Sequence, residues 1–417
     1  MATPGAATEP QVFDLRLPPL ALEAGGRVDP HLVRGWWWGP ASDLPALTAR
    51  SRVVPPETAR RQAYRVVRRT IAEAEDAPLS AAATSAPGFD ETIPTIVAVH
   101  ALTGDMRAGG PGGWWEPVIG PGKALDPARC RVLCFNNLGS CYGTSGPADQ
   151  CFPHPSDARS VPSTVTTWDQ ARSIIAALDQ LGIQRVALAT GGSVGGMIAL
   201  ALAVLAPDRF ERIAPIASAE AAGPWIIGWN HIAQEILLLD PAYPDAPARG
   251  LEIARQLAML TYRAEPGLDL RQGRAMAGTE SWQALAPYKM ETYLEHQGVK
   301  LRERFNALAY LTQLGAMNHH DLARTPPGES AEPWGVPRIR ASTLAVAIDT
   351  DLLYFPVQMT RLSARLRERG TVAVDRTLTS PHGHDAFLIE WDQVSALLEQ
   401  ALALPAFSGD DAPPRSP

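Results

Sequence analysis

Cysteine, long apolar runs and excess positive charge are all scarce in this sequence. Only 4 of its 417 residues are cysteines. They lie close together, at Cys130, Cys134, Cys141 and Cys151, without the Cys-x-x-Cys pairs that are typical of structural zinc sites. We therefore expect free thiols rather than disulfides or a metal centre, and free thiols suit a reducing compartment.

The other two absences limit the classes of partner. No stretch is apolar over the roughly 20 residues that a membrane-spanning helix requires, and the first residues do not resemble a secretory signal. The net charge of −7 argues against nucleic acid as the main partner. We expect a cytoplasmic protein with neither membrane nor nucleic-acid partners. Its length and 46% hydrophobic content allow one large domain with an insertion, or two domains.

The most informative segment that is present is a serine among glycines, Gly191-Gly192-Ser193-Val194-Gly195-Gly196. A strand-like apolar run precedes it, and a helix-like run of small apolar residues follows. A Gly-x-Ser-x-Gly turn between strand and helix is typical of the nucleophile elbow of α/β-hydrolase folds, where the sharp turn exposes the serine hydroxyl. The alternative is a glycine-rich turn whose serine has no role, because the short pattern is common by chance.

Strand-like and helix-like segments alternate around this turn. The alternation predicts an α/β fold, the α/β-hydrolase fold, with a mostly parallel sheet flanked by helices. Strands are predicted at 95–100, 131–136, 186–189, 212–217, 343–348 and 372–374. Helices are predicted at 167–181, 232–239, 251–262, 293–314, 357–369 and 386–402.

The segment from about 219 to 337 shows no strand pattern, which predicts an inserted helical lid. The chain is therefore divided into a first part of the core at 1–218, the lid at 219–337 and a second part of the core at 338–417. A stretch at about 40–90 looks like a further insertion, with a helix at 57–75.

Two early segments, 12–17 and 31–38, are predicted to be antiparallel edge strands. The second contains the tryptophan run Trp36–Trp38. A binding surface is one interpretation of this run, but we favour rings that cover one edge of the sheet.

The serine needs a base within hydrogen-bond reach, and the base needs an acid that orients it. In α/β hydrolases the acid and then the histidine follow the serine along the chain. Asp349 and Asp351 both follow the predicted strand 343–348, and His382 and His384 both lie in a later loop. The residues alone leave both choices open.

Acyl transfer also needs two N–H donors that stabilise the oxyanion of the intermediate. The backbone N–H of Val194, directly after the serine, is the first candidate. The second should come from the loop after an early strand, and Leu102 is our candidate there. His100 lies at the start of that loop. We interpret its side chain only as a cap on the preceding strand.

Together these segments resemble the homoserine O-acyltransferase family of the α/β-hydrolase superfamily. The resemblance rests on ordered motifs at 100–105, 113–115, 120–126, 137–147, 191–197, 260–263, 293–298 and 383–388. It implies that Asp351, which precedes Leu-Leu-Tyr-Phe-Pro, is the acid. It also implies that His384, in Gly-His-Asp-Ala-Phe-Leu, is the base.

The resemblance extends to the substrates. Arg255 matches an arginine that binds the carboxylate of an amino acid, and Asp385 matches an aspartate that binds its ammonium. Family members that use succinyl-CoA tend to carry arginine where this chain has Leu353. An apolar residue would leave the second carboxylate unpaired, which is costly, so acetyl-CoA is the expected donor.

The implied reaction is ping-pong transfer of an acetyl group from acetyl-CoA to L-homoserine, a step of methionine biosynthesis. The resemblance implies a homodimer, and the sequence shows no motif for a metal or a tightly bound cofactor, so we expect neither. The chain departs from the family at Val194, where methionine is usual, and at Asn306, where aspartate is usual. Two alternatives stay open: serine or another alcohol as the acceptor, since serine is only one methylene shorter, and water as the acceptor, which would make an esterase.

Overall fold

The computed structural model describes residues 8–55, 66–70, 72–73, 87–153, 164–278, 288–329 and 333–407. Its strands are β1 Gln11–Leu17, β2 Leu20–Ala21, β3 Arg27–Val28, β4 His31–Trp38, β5 Arg52–Val54, β6 Thr95–Val99, β7 Arg131–Phe135, β8 Leu188–Gly192, β9 Arg212–Ile216, β10 Ser342–Ile348 and β11 Ala373–Leu378. Its α-helices are α1 Leu44–Arg50, α2 Thr167–Leu181, α3 Val194–Leu205, α4 Pro224–Leu238, α5 Ala248–Tyr262, α6 Glu265–Arg271, α7 Lys289–Arg302, α8 Ala307–Asn318, α9 Pro356–Glu368 and α10 Trp391–Ala403.

A nine-stranded sheet forms the centre of the fold. Its strand order is β11-β10-β9-β8-β6-β7-β4-β1-β5. The six strands from β6 to β11 pair in parallel, and β6, β7, β8 and β10 are buried along their whole length. Parallel strands buried in this way require helices on both faces of the sheet. The predicted α/β-hydrolase fold class is confirmed.

Helix α2 illustrates how local sequence sets an element that packs on this sheet. Thr166 caps its first turn by accepting from the Asp169 N–H, and the Asp169 carboxylate accepts from the Thr166 N–H, which forms a capping box. Gly182 ends the helix at a φ of 75°, a conformation that favours glycine. The predicted bounds of this helix agree with the structure.

The prediction of two edge strands is wrong in one respect. Strands β1 and β4 are antiparallel, as expected, but neither lies at the edge: β4 lies between β7 and β1, β1 lies between β4 and β5, and β5 forms the edge. All eight residues of β4 are buried, including Trp36, Trp37 and Trp38. Alternate side chains of a strand point to opposite faces, so the tryptophans pack on both faces of the sheet. They do not cover its edge.

The segment at about 40–90 contributes to the core at its start, because α1 and the edge strand β5 lie within it. Most of the helix predicted at 57–75 lies outside the described residues. The part at 66–70 is not helical, and Arg69 in it forms an ion pair of 2.7 Å with Asp149. The prediction of a helix is therefore wrong for 66–70.

Between 224 and 318, the described elements are helices, apart from a single bridge between Met276 and Tyr288, and a second bridge, between Ala221 and Asp321, flanks this region. The predicted helix at 293–314 is two helices, because the Asn306 side chain accepts from the Ala309 N–H and begins α8. The last helix begins at Trp391 rather than 386, since Gly383–Leu388 forms a 3-10 helix. The division of the chain into domains stays a prediction.

Two buried histidines link stability to pH. His31 and His320 lie in the core, and burial lowers the pKa of each to about 4. An unfolded chain takes up these protons near the ordinary pKa of about 6.5. Between pH 6.5 and 4 the unfolded state therefore binds more protons than the folded state, and the stability that these histidines contribute falls as the pH falls.

A comparison of the protein with a His320→Leu variant isolates one of these titrations. We expect the free energy of unfolding of the parent, relative to the variant, to shrink by about 2 kcal/mol between pH 7 and pH 5. Urea unfolding at several pH values measures it. A difference that does not change with pH would contradict the assignment of a neutral, buried His320.

Candidate active site

Ser193 stands at a strained turn between β8 and α3. Its φ of 60° and ψ of −128° are unusual for any residue but glycine. The Ser193 N–H donates to the carbonyl of Ile216, in the neighbouring strand β9, at 2.9 Å. The predicted elbow geometry is therefore present, and its strain is held by a backbone hydrogen bond to the sheet.

The glycines of the elbow are needed because other parts of the chain approach its backbone closely. A Cβ on Gly191 or Gly195 would lie 2.4 or 2.2 Å from the carbonyl oxygen of Val99, at the end of β6. A Cβ on Gly192 would lie 2.4 Å from the ring of Phe387. Any side chain at these positions would push α3 or the 3-10 helix away from the sheet. The spacing of the glycines thus reflects packing as well as the turn.

His384 and Asp351 form a buried pair. Nδ1 of His384 lies 2.7 Å from Oδ2 of Asp351. The other carboxylate oxygen accepts from the N–H groups of Leu353 and Tyr354, at 2.7 and 2.9 Å. Burial alone would lower the pKa of His384, but the charge and hydrogen bond of Asp351 hold it above its usual value.

The two alternatives that the residues left open have other contacts. Asp349 accepts a hydrogen bond from the Ser380 N–H at 3.0 Å. The His382 N–H donates to the Ser380 hydroxyl at 3.1 Å. The structure thus joins Asp351 with His384 and uses Asp349 in the turn before His382. The catalytic roles themselves stay predictions.

The second ring nitrogen of His384 is available for proton transfer. Nε2 is buried and has no hydrogen-bond partner in the described part of the chain. The rings of Tyr262, Tyr354 and Phe387 surround the imidazole, with centroids 5.9, 5.3 and 5.8 Å away. A histidine with one nitrogen held by a carboxylate and the other free is suited to act as a general base.

The two predicted oxyanion donors are also free. Among the described residues, no acceptor takes up the backbone N–H of Leu102 or Val194. Val194 is the first residue of α3, where the helix dipole adds positive potential. A Cβ on Gly195 would lie 3.2 Å from the carbonyl oxygen of His100, so the loop that carries Leu102 begins beside the elbow.

The predicted substrate residues lie next to the histidine. The Arg255 guanidinium is 5.3 Å from the ring centroid of Tyr262, and this ring contacts His384. Asp385 directly follows His384 and accepts from Arg263 at 3.2 Å. Two cations, Arg255 and Arg263, and one anion, Asp385, therefore lie near the histidine. Within the described part of the chain, no hydrogen bond to the second carboxylate oxygen of Asp385 is present.

Leu353 is buried and lines a small cavity of about 20 Å³. Trp229, Tyr262 and Tyr310 also line it. A space of this size holds little more than one water molecule. The described residues that line it, Leu353 among them, include no lysine or arginine.

Sequence reasoning missed the contributions of Tyr262, Arg263 and Tyr354. The first two lie in the motif at 260–263, and Tyr354 lies directly after Leu353 in the stretch that identified Asp351. Their side chains were given no role because their contacts are with residues distant in sequence. Burial raises the pKa of Tyr262 well above its usual value, so its hydroxyl stays protonated as a hydrogen-bond donor.

The described residues contain no group of three or more His, Cys, Asp or Glu side chains that could hold a metal ion. All four cysteines are free thiols, and burial raises the pKa of Cys130 and Cys141 to about 12. Within the described ranges, no helix is long and apolar enough to cross a membrane.

The fold and this site define an enzyme of the α/β-hydrolase superfamily. The family described as alpha/beta hydrolase fold matches residues 94–390, which include Ser193, Asp351 and His384. Homoserine O-acetyltransferase of Thermus thermophilus is 40% identical over 330 residues, which span 74% of this chain and 81% of that protein. The chain belongs to the homoserine O-acetyltransferase family and is an enzyme of that type.

Solved structures agree with this fold. Homoserine O-acetyltransferase from Bacillus anthracis superposes with a TM-score of 0.72 at 18% identity, covering 96% of this chain and 100% of that chain. An acetylester hydrolase from Corynebacterium glutamicum superposes with a TM-score of 0.66, also at 18% identity, covering 94% and 96% of the two chains. At these identities the likeness concerns the fold alone.

Proposed function

We propose that the enzyme transfers an acetyl group from acetyl-CoA to the hydroxyl of L-homoserine through an acetyl-serine intermediate. The observation that carries this proposal is a pair of opposite charges near His384: the Arg255 guanidinium beside Tyr262, and the Asp385 carboxylate, one oxygen of which already contacts Arg263. A hydrolase that uses water has no need of such a pair. An amino acid, with a carboxylate and an ammonium, matches it.

The first half-reaction forms the acetyl-enzyme. Nε2 of His384 takes the proton of the Ser193 hydroxyl while the oxygen attacks the thioester carbon. The N–H groups of Leu102 and Val194 stabilise the oxyanion. The thioester C–S bond breaks, and the imidazolium, held by Asp351, returns the proton to the sulfur of coenzyme A.

The second half-reaction transfers the acetyl group. Arg255 binds the carboxylate of homoserine, and the free oxygen of Asp385 binds its ammonium. His384 then removes the proton of the homoserine hydroxyl, which attacks the acetyl-serine carbon. The ester bond to Ser193 breaks, and His384 gives the proton back to the serine oxygen. Acetyl-CoA is the co-substrate, and these steps use no other cofactor.

The nature of the acceptor is tested by comparing kcat/KM for homoserine, serine and other hydroxy-amino acids, with acetyl-CoA as donor. We expect homoserine to be preferred. Equal or better turnover of serine would favour the serine O-acetyltransferase alternative. Rapid cleavage of acetyl esters without dependence on an amino acid would favour the esterase alternative.

The apolar side chain of Leu353 supports acetyl-CoA rather than succinyl-CoA as the donor. A Leu353→Arg variant tests this donor preference. A guanidinium at this position would pair with the second carboxylate of a succinyl group. We expect the ratio of kcat/KM for succinyl-CoA to that for acetyl-CoA to rise roughly 10- to 100-fold. The measurement is release of the coenzyme A thiol with each donor.

A Leu353→Met variant is the matched control, since it conserves volume and apolar character. It should keep the preference for acetyl-CoA. A folded Leu353→Arg variant whose donor ratio is unchanged would contradict the role of position 353. If the arginine prevents folding, a Leu353→Gln variant, which offers a neutral donor, should show a smaller shift in the same direction.

We propose further that the enzyme is a cytoplasmic homodimer that serves methionine biosynthesis. The lid exposes several large apolar side chains, which supports self-association through this surface. They are Trp225, Ile227, Ile232, Leu239, Ile253 and Leu260.

A further inference from the structure

The orientation of the oxyanion loop depends on a buried side chain that the mechanism above does not use. Nδ1 of His100 lies 2.8 Å from the carbonyl oxygen of Ala101. The same oxygen accepts from the Gly104 N–H at 2.9 Å. Two donors thus hold the carbonyl of the peptide unit between Ala101 and Leu102.

The other contacts of His100 fix which nitrogen carries the proton. The Asn137 N–H donates to Nε2 at 3.0 Å, so Nε2 has a lone pair and the proton is on Nδ1. The Asn137 side-chain amide donates to the His100 carbonyl at 3.2 Å and lies 3.5 Å from Nδ1. Burial lowers the pKa of His100, which keeps the ring in this neutral form.

The held carbonyl determines the direction of the Leu102 N–H. The peptide bond between Ala101 and Leu102 is trans and planar, so its N–H points opposite to its C=O. Because the carbonyl is turned toward the imidazole and the Gly104 N–H, the Leu102 N–H is turned away from both. This leaves it free as a donor, which agrees with its lack of an acceptor in the described part of the chain.

We propose that His100 is a positioning residue of the oxyanion hole: by holding the carbonyl of Ala101, it orients the N–H of Leu102 toward the developing oxyanion. This inference rests on the acetyl-serine chemistry of the proposed function. Arg304 holds the next part of the same loop, since its Nη1 donates to the Thr103 carbonyl at 2.6 Å. Without the imidazole, the peptide between Ala101 and Leu102 can rotate and its N–H leaves the hole.

The test uses p-nitrophenyl acetate as the acetyl donor, because this ester needs the serine, the histidine and the oxyanion hole but not homoserine. In a His100→Leu variant we expect the acetylation rate per active site to fall about 10²–10³-fold, as for loss of one oxyanion donor. The KM for acetyl-CoA and homoserine should change little, because the donor acts mainly in the transition state. Active sites are counted by labelling with a fluorophosphonate.

Two conservative variants separate positioning from folding. The amide of asparagine reaches the place of Nδ1, whereas that of glutamine reaches the place of Nε2. His100→Asn should therefore retain more activity than His100→Gln, even if His100→Leu does not fold. Equal activities, or the reverse order, would overturn the proposal.

A spectroscopic readout tests the hole directly. Hydrogen bonds from oxyanion donors lower the stretching frequency of the acetyl-serine carbonyl, which infrared difference spectra of ¹³C-acetyl enzyme record. We expect this band at higher frequency in His100→Leu, and at the parental frequency in the matched control His320→Leu, which loses another buried neutral histidine. An unchanged band in His100→Leu would overturn the proposal. If the parent forms no acetyl-enzyme with p-nitrophenyl acetate or acetyl-CoA, the proposed function fails instead.

Discussion

Replacement of Ser193 by alanine is expected to lower kcat for acetyl transfer to homoserine by about a millionfold, as for loss of the serine of a triad. The Ser193 oxygen is the only atom that forms the covalent intermediate of the proposed mechanism. Without it, His384 has no hydroxyl to activate, and only binding and the oxyanion donors still favour reaction. Release of coenzyme A in the presence of homoserine measures the effect.

Ser218→Ala is the matched control for this variant. Ser218 is buried, and its Cβ lies 2.8 Å from where a Cβ on Gly196 would be, so it packs against the elbow without taking part in the chemistry. We expect its kcat to stay within a few-fold of the parent. If Ser193→Ala kept more than about 1% of the activity, direct transfer between the two substrates would replace the acetyl-serine route.

Replacement of Arg255 by alanine is expected to separate the two half-reactions. The guanidinium is proposed to bind the carboxylate of homoserine, and loss of charge-assisted hydrogen bonds should lower kcat/KM for homoserine about 100-fold. Formation of the acetyl-enzyme from acetyl-CoA should be unaffected, because no acceptor is present in that step. Rapid-mixing measurements of each half-reaction give the two rates separately.

Arg249→Ala serves as the control for this prediction. Arg249 lies on the same helix, α5, but is exposed and forms an ion pair with Glu252 at 2.8 Å. It should leave both half-reactions unchanged. An equal loss in the two half-reactions of Arg255→Ala would show that the arginine supports the lid or the elbow rather than the acceptor.

The parts of the fold that local sequence determines could be predicted. Helix α2 carries its own capping box and its C-terminal Gly182. The Gly-x-Ser-x-Gly pattern between a strand-like and a helix-like run indicates the turn at Ser193, although the contacts that require its glycines come from Val99 and Phe387, far away in sequence. The split between α7 and α8 was missed, although the Asn306 cap that causes it is a local signal. The apolar periodicity continues from α7 into α8, so the pattern alone predicts a single helix.

Long-range pairing could not be predicted in the same way. The position of β4 inside the sheet follows from its pairing with β7, about 100 residues later in the chain, so it was wrongly expected at an edge. Likewise, the choice of Asp351 over Asp349 came from the resemblance and not from spacing. The contacts of His100 depend on Asn137, and no periodic pattern connects these two residues.

The central claim is that Ser193 carries the acetyl group between the donor and the acceptor. Intact-protein and peptide mass spectrometry after incubation with acetyl-CoA alone tests it most directly. The account predicts one added acetyl group per chain, located on Ser193, which homoserine removes to yield O-acetylhomoserine. An enzyme that makes this product only when both substrates are present, with no acetyl group ever found on Ser193, would contradict it.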